Sequence, residues 1–171
     1  MHHYDYVVVG AGSAGSALAN RLSESGKFTV CLLEAGGSDK KFWVQMPLGY
    51  GKVFHDPSVN WRYMTEPEPN LDNQSVYWPR GKVLGGSSSI NAMVWVRGHK
   101  RDYDEWNSVA PGWGWNNVQK IFNRIENWDG TSNISRGTIG PQPVHDVSSD
   151  VHPLTISYLK AASQVGIKTN A

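Results

Sequence analysis

The sequence predicts an α/β fold that opens on a parallel βαβ unit, and three observations predict it. A β-branched apolar run, Tyr6-Val-Val-Val9, breaks at once into glycines spaced Gly10, Gly12 and Gly15; a helical stretch follows; and a second apolar run, Phe28-Thr-Val-Cys-Leu-Leu33, ends on an acid, Glu34. An apolar run closed by G-x-G-x-x-G reads as a buried strand turning tightly into a helix. Gly10 allows the turn, Gly12 lets backbone approach a pyrophosphate, and Gly15 lets the helix lie on the strand, while the helix N-terminus offers free N–H groups to the anion. In Ser16-Ala-Leu-Ala-Asn-Arg-Leu22, Leu18 and Leu22 share one face, and Ser25-Gly26 supplies the expected C-terminal glycine. Glu34 lies 19 positions after Gly15, where the acid that binds a ribose hydroxyl is expected, about 20 residues on. The whole is a Rossmann-like βαβ unit spanning residues 4–36, and its expected ligand is a dinucleotide.

Composition narrows the function further. With 171 residues the chain suits one domain or part of one. A formal net charge of +1, from 16 Lys+Arg against 15 Asp+Glu, leaves no electrostatic footprint for nucleic acid or anionic membranes. No apolar run approaches the roughly 18 residues of a membrane span, and the first strand starts almost at the N-terminus, so a cytoplasmic protein is expected. The single Cys31 falls inside the second strand and reads as a small hydrophobe, not a redox thiol.

From Gly36 to Pro79 helical and strand periods fade, and a long aromatic-rich loop is expected, anchored by residues such as Phe42, Trp43, Tyr50, Trp61 and Trp78. Within it, Trp61-Arg-Tyr-Met-Thr65 alternates as a strand should, and Glu66-Pro-Glu-Pro69 ends it. A second glycine cluster, Gly85-Gly86, leads into three serines, with an apolar run from Ile90 to Val96 behind it. Bare backbone N–H groups and hydroxyls there suit close approach to a phosphate or a flat ring. Arg101–Trp106 reads as a short exposed helix. Asn117–Glu126 reads as a longer one, with Val118, Ile121, Phe122 and Ile125 expected in the core. Gly130–Pro143 is expected as loop or hairpin, Gln142–Val147 as a strand, and Leu154–Val165 as a helix opened by His152-Pro153 and closed by Gly166.

Taken together, Gly81-Lys-Val-Leu-Gly-Gly-Ser-Ser-Ser-Ile-Asn91, continuing to Trp95, Gly98 and Asp104, resembles the first signature of the glucose-methanol-choline family of FAD-dependent oxidoreductases. The N-terminus, through Glu34-Ala-Gly36, and the runs Trp61-x-Tyr-x-Thr-x-Pro67 and Pro111-Gly-Trp-Gly-Trp115 are similar to family segments as well. The resemblance covers essentially the whole chain and implies the N-terminal part of an FAD-binding domain. It puts the ADP portion on Gly10, Gly12, Ser13, Ala14, Gly15, Glu34 and Ala35. A flavin-contacting segment is implied over residues 80–98, at Arg80, Val83, Gly85, Gly86, Ser87, Asn91, Ala92, Met93 and Val94. Some members attach the flavin covalently through a His just before the Asn; Ile90 stands there, so non-covalent FAD is implied.

The resemblance further implies oxidation of a primary alcohol, with a base from a far C-terminal segment. None of His2, His3, His55, His99, His145 and His152 matches that segment, and none has a Cys or carboxylate at metal-ligand spacing. No catalytic residue and no metal ligand is therefore assigned. The two strong strands are apolar on both faces, which leads to the expectation that later segments of the same polypeptide complete and cover the sheet. Two other readings stay open: an NAD-binding dehydrogenase domain, which the first glycine motif alone would suit, and a lyase or binding module that holds FAD without net oxidation.

Overall fold

A computed structural model describes residues 2–131 and 135–168, and the chain divides into two units, Met1–Val94 and Trp95–Ala171.

In the first unit, β1 (Tyr6–Val9) and β2 (Val30–Leu33) pair in parallel, Tyr6 opposite Val30 and Val9 opposite Leu33, with α1 (Ser13–Ser23) as the crossover. Gly10 makes the turn at φ +95°, and Gly12, in extended conformation, stands at the helix N-cap. The helix therefore starts at Ser13, three residues ahead of the expected Ser16, and includes Gly15. A glycine inside a helix costs about 1 kcal/mol, but a Cβ there would stand 1.9 Å from the Gly10 carbonyl oxygen. Val7 and Val9 remain exposed on this two-stranded sheet, Val9 at 83%.

The expected loop between Gly36 and Pro79 contains regular structure. The helical turns α2 (Phe42–Gln45), Pro47–Gly49 in 3-10 form, and α3 (Tyr50–Val53) follow one another. The expected strand shortens to β3 (Tyr63–Met64), paired antiparallel with β4 (Tyr77–Trp78). What holds them is a cluster of Val53, Val59, Val83 and Ile90, with Val44 against it. Buried Asn60 organises the polar side. Its Oδ1 accepts from the backbone N–H of Arg62 (2.9 Å) and Arg80 (3.0 Å), and its Nδ2 donates to the Phe54 carbonyl (2.8 Å). Such a side chain replaces a missing stretch of sheet ladder, so the turn needs no longer strand.

The second glycine segment threads between these parts. Gly81 bridges antiparallel to Asn60, Val83 parallel to Gly37, and Gly85 parallel to Gly12. The apolar run from Ile90 is not a strand: Ile90 is 3% exposed in the cluster, whereas Met93 takes a left-handed φ of +59° and Val94 is exposed.

In the second unit, α4 (Lys100–Val109) is longer than expected because His99 and Asp102 form a capping box at its start. The helix α5 (Trp115–Ile125) follows, and α6 (Pro153–Gln164) opens on a His152 cap with Pro153 in its first turn. Of the four α5 residues expected in the core only Val118 is buried; Phe122 is half-buried, and Ile121 and Ile125 are exposed. Edge-to-face and tilted aromatic contacts take the place of an aliphatic core, as the Tyr103 ring meets Trp106, Trp115 and Phe122 at centroid distances of 5.9, 5.6 and 5.9 Å.

Glu126, expected as the last helical residue, instead starts β5 (Glu126–Trp128), which pairs parallel with β6 (Gln142–Val144). Parallel pairing excludes a hairpin between β5 and β6 themselves, but the chain after β5 folds back on it antiparallel, with Asn127 bridged to Thr138 and Trp128 N donating to the Gly137 carbonyl (2.8 Å); residues 132–134 lie outside the described ones. The expected strand to Val147 ends at Val144 because Asp129 takes over the pairing: its Oδ1 accepts from Asp146 N (2.9 Å) and its Oδ2 bonds His145 Nδ1. Glu126 is fully buried between the guanidinium groups of Arg97 and Arg136, with Trp95 Nε1 (3.2 Å) and Gly137 N (3.3 Å) also donating. Burial alone would raise its carboxyl, but the Gly137 hydrogen bond and the two arginines outweigh that and hold it below the ordinary glutamate range.

Candidate nucleotide crevice

The first unit carries an open crevice of about 470 Å³ at the C-terminal ends of β1 and β2, between the two glycine segments. Val9, Gly10 and Gly12 line one side and Leu33, Glu34 and Ala35 the next; Trp61, Gly81 and Gly86 complete it. Ligands of open α/β sheets settle in such crevices.

The glycines fall into two groups by what surrounds them. A Cβ on Gly10 would meet nothing within 4 Å, and one on Gly12 would find only the Gly86 Cα at 3.9 Å. These two leave their space to the crevice. Gly15, Gly36 and Gly81 are packed instead: a Cβ would stand 1.9 Å from the Gly10 oxygen, 2.1 Å from the Lys82 carbonyl carbon and 2.2 Å from the Gly86 carbonyl carbon, respectively. Bare backbone at the start of an eleven-residue helix is what a diphosphate needs, since a side chain at Gly10 or Gly12 would fill the cradle. The residues present fit the diphosphate of a dinucleotide.

Glu34 stands at the end of β2. Its Oε2 accepts from Ala11 N (2.8 Å) and its Oε1 from Gly36 N (2.8 Å). The carboxylate thereby ties the first glycine turn to the start of the next segment, and each oxygen keeps lone-pair capacity for a hydroxyl donor.

The other expected site residues divide. Ser13 Oγ bonds Ser88 Oγ, joining the first turn of α1 to the second cluster; Ala14 is exposed. Gly85, at φ +86°, donates its N–H to the Ala11 carbonyl (2.8 Å). The serine hydroxyls are engaged at home: Ser87 Oγ accepts from Gly81 N (3.1 Å) and Ser89 Oγ donates to the Leu84 carbonyl (2.7 Å). Val83 is fully buried in the aliphatic cluster, and Arg80 lies over the Trp78 ring, 5.1 Å from its centroid; neither lines the crevice. Asn91 and Met93 line a separate hollow of about 180 Å³ with Trp43, Tyr50, Ser88 and Ser89, and Asn91 Oδ1 accepts from Met93 N (2.8 Å) across the left-handed turn. Ala92 and Val94 are exposed and border neither space. Trp61 was not among the expected cofactor-binding residues: the sequence offers it as one of the aromatics that anchor the loop, open alike to packing and to ligand contact, and the structure places it at the crevice.

A family profile described as GMC oxidoreductase matches residues 4–171. The chain belongs to that family. Among GMC relatives, it is 46% identical over 166 residues to an oxygen-dependent choline dehydrogenase of Rhizobium etli (96% of this chain, 30% of that protein). It is 44% identical over 169 residues to an alcohol dehydrogenase [acceptor] of Pseudomonas putida (98% and 30%). Its fold is similar to that of pyridoxine 4-oxidase from Mesorbium loti, with a TM-score of 0.87 and 34% identity over 96% of this chain and 32% of that one. The chain thus spans about a third of the length of the GMC proteins it matches. No helix among the described residues is long and apolar enough to cross a membrane.

Proposed function

We propose that the crevice holds the ADP portion of FAD, bound non-covalently, and that the chain is the FAD-binding part of an oxidoreductase that converts a primary alcohol to an aldehyde. The observation that carries this reading is the pair of glycine segments meeting at Gly12 and Gly85–Gly86, with bare backbone facing the crevice from both sides. An NAD site needs only the first of them. Similarity to choline and alcohol dehydrogenases and to an FAD-dependent oxidoreductase from Chaetomium thermophilum (TM-score 0.79, 29% identity) supports the redox class.

In this reading the N–H groups at the start of α1 and the backbone of Gly10 and Gly12 hold the diphosphate, and Glu34 accepts a ribose hydroxyl. The chemistry FAD supplies when bound is acceptance of a hydride from the carbinol carbon, the hydroxyl proton going to a base. No residue of this chain is assigned as that base. Ile90 has no nucleophilic atom to attach a flavin, and it lies within the aliphatic cluster.

The test is direct. The purified full-length protein is expected to carry flavin absorbance, and acid precipitation is expected to leave a yellow supernatant over a colourless pellet. A protein that takes up NAD but no FAD overturns the assignment, and a flavin-bearing peptide in the pellet overturns non-covalent binding. Glu34→Ala deletes the ribose acceptor and leaves two backbone N–H groups without their partner. With charge-assisted hydrogen bonds worth about 1.5–3 kcal/mol, titration is expected to show FAD affinity lowered roughly 10- to 100-fold. Unchanged affinity removes Glu34 from the site.

A further inference from the structure

The second unit buries more positive charge than negative. Arg97 and Arg136 both close on Glu126, which is the one acid that pairs with either of them among the described residues. Glu126 is fully buried and only 11% of the Arg97 side chain is exposed, so the surplus cation sits where water screens it poorly. Arg97 also donates from Nη1 to the Ser135 carbonyl (2.6 Å) and from Nη2 to Asn123 Oδ1 (3.1 Å), and its Nε is buried with no hydrogen-bond partner among the described residues. Buried donors of that kind are rare in folded proteins. Arg136 is the accessible member of the pair: its Nη1 meets Glu126, while 27% of the side chain stays exposed.

Both guanidinium groups lie over aromatic rings, Arg97 5.3 Å from the Phe122 centroid and Arg136 4.5 Å from that of Trp128. Stacking engages a face of the guanidinium and leaves its edge for in-plane hydrogen bonds, the geometry that matches a carboxylate. Beside the two arginines is an open hollow of about 350 Å³ lined by Trp95, Val96, Arg97, Trp115, Ser135 and Arg136. Its tryptophans are tied in place, Trp95 by donating to Glu126 Oε1 (3.2 Å), Trp115 by its ring contact with Tyr103 and by its N–H on Asp104 Oδ1 (2.9 Å). The hollow belongs wholly to the second unit, and the FAD reading makes no use of it.

We propose that this hollow is an anion site which takes a small organic carboxylate, its head group on the edge of Arg136 and its apolar body against Trp95 and Trp115. A carboxylate there brings the charges of the cluster to two against two. An inorganic ion gains nothing from the two tryptophans, whereas an apolar body does. Because the fork and its walls are already held, little ordering remains to oppose binding.

Calorimetric titration of the full-length protein with benzoate and with inorganic phosphate tests this. The expected result is saturable benzoate binding, at least about 10-fold tighter than phosphate. Arg136→Met should lower benzoate affinity about 10-fold or more, and Arg136→Lys by less, because the charge survives but the fork does not. Trp115→Leu should weaken benzoate about 3-fold and leave phosphate unchanged. Circular dichroism and flavin content should match wild type in Arg136→Lys and Trp115→Leu, which carry the test should Arg136→Met fail to fold. Benzoate that does not bind, or that binds the variants within about 2-fold of wild type, overturns the site; phosphate that binds as tightly as benzoate overturns its assignment to an organic carboxylate.

Discussion

Glu126→Ala is expected to destabilise the second unit by about 3–5 kcal/mol, the usual cost of removing one partner from a buried ion pair. The carboxylate is fully buried and answers two guanidinium groups, so its removal leaves Arg97 and Arg136 charged with no counter-ion where Arg97 has little access to water. Replacing all three by apolar residues of similar volume is expected to recover most of the loss, since desolvation of the charges then disappears with the attraction between them.

The same group sets a pH dependence. Because the folded carboxyl titrates below its ordinary range, its stabilisation is fully present above that range and is lost as pH falls through the folded value. Urea unfolding followed from neutral pH downward should show a steep acid limb in wild type. Glu126→Gln should be less stable at neutral pH and flatter toward acid. An acid limb unchanged in Glu126→Gln would assign the titration to other groups.

Gly15→Ala and Gly36→Ala are expected to abolish cofactor uptake. Neither site tolerates a methyl group: the contacts would be 1.9 Å to the Gly10 oxygen and 2.1 Å to the Lys82 carbonyl carbon, all of it backbone that cannot rotate away. Overpacking of this kind costs about 1–3 kcal/mol or more. More important for binding, relief in the first case pushes α1 off β1, and in the second pushes the Gly81–Gly86 segment off Gly36. Gly10→Ala is the contrasting control. It meets no protein atom, so its cost is the strained positive φ together with the space it takes from the ligand. Flavin absorbance of the purified variants is the measurement. Full flavin content in Gly36→Ala would show that the two glycine segments need not stay in register.

The crevice was readable in the sequence to the extent that local pattern defines it. β1, α1 and β2 follow from apolar runs and glycine spacing, because each element there is built from contiguous residues. Glu34 was placed by counting from Gly15, although its grip on Ala11 N and Gly36 N could not be counted. What escaped depends on partners distant in the chain. Asn60 looks like any loop asparagine until Phe54, Arg62 and Arg80 surround it. Glu126 extends a helical pattern, yet its partners at Arg97 and Arg136 draw it into a strand. The apolar row of α5 has a real 3.6-residue period, but Tyr103 and the tryptophans cover only part of it, so periodicity overstated its burial.

Ile90 bears on how readily such a scaffold changes its mode of holding a cofactor. Family members that tether the flavin do so through a histidine at the equivalent place. In this chain that side chain is packed among Val53, Val59 and Val83. A histidine there would enter an aliphatic environment, where an unpartnered polar ring is costly. Given the non-covalent binding proposed above, tethering the flavin is not a one-residue step for this chain: the turn from Gly86 to Asn91 has to be re-aimed and the valine cluster refilled along with it.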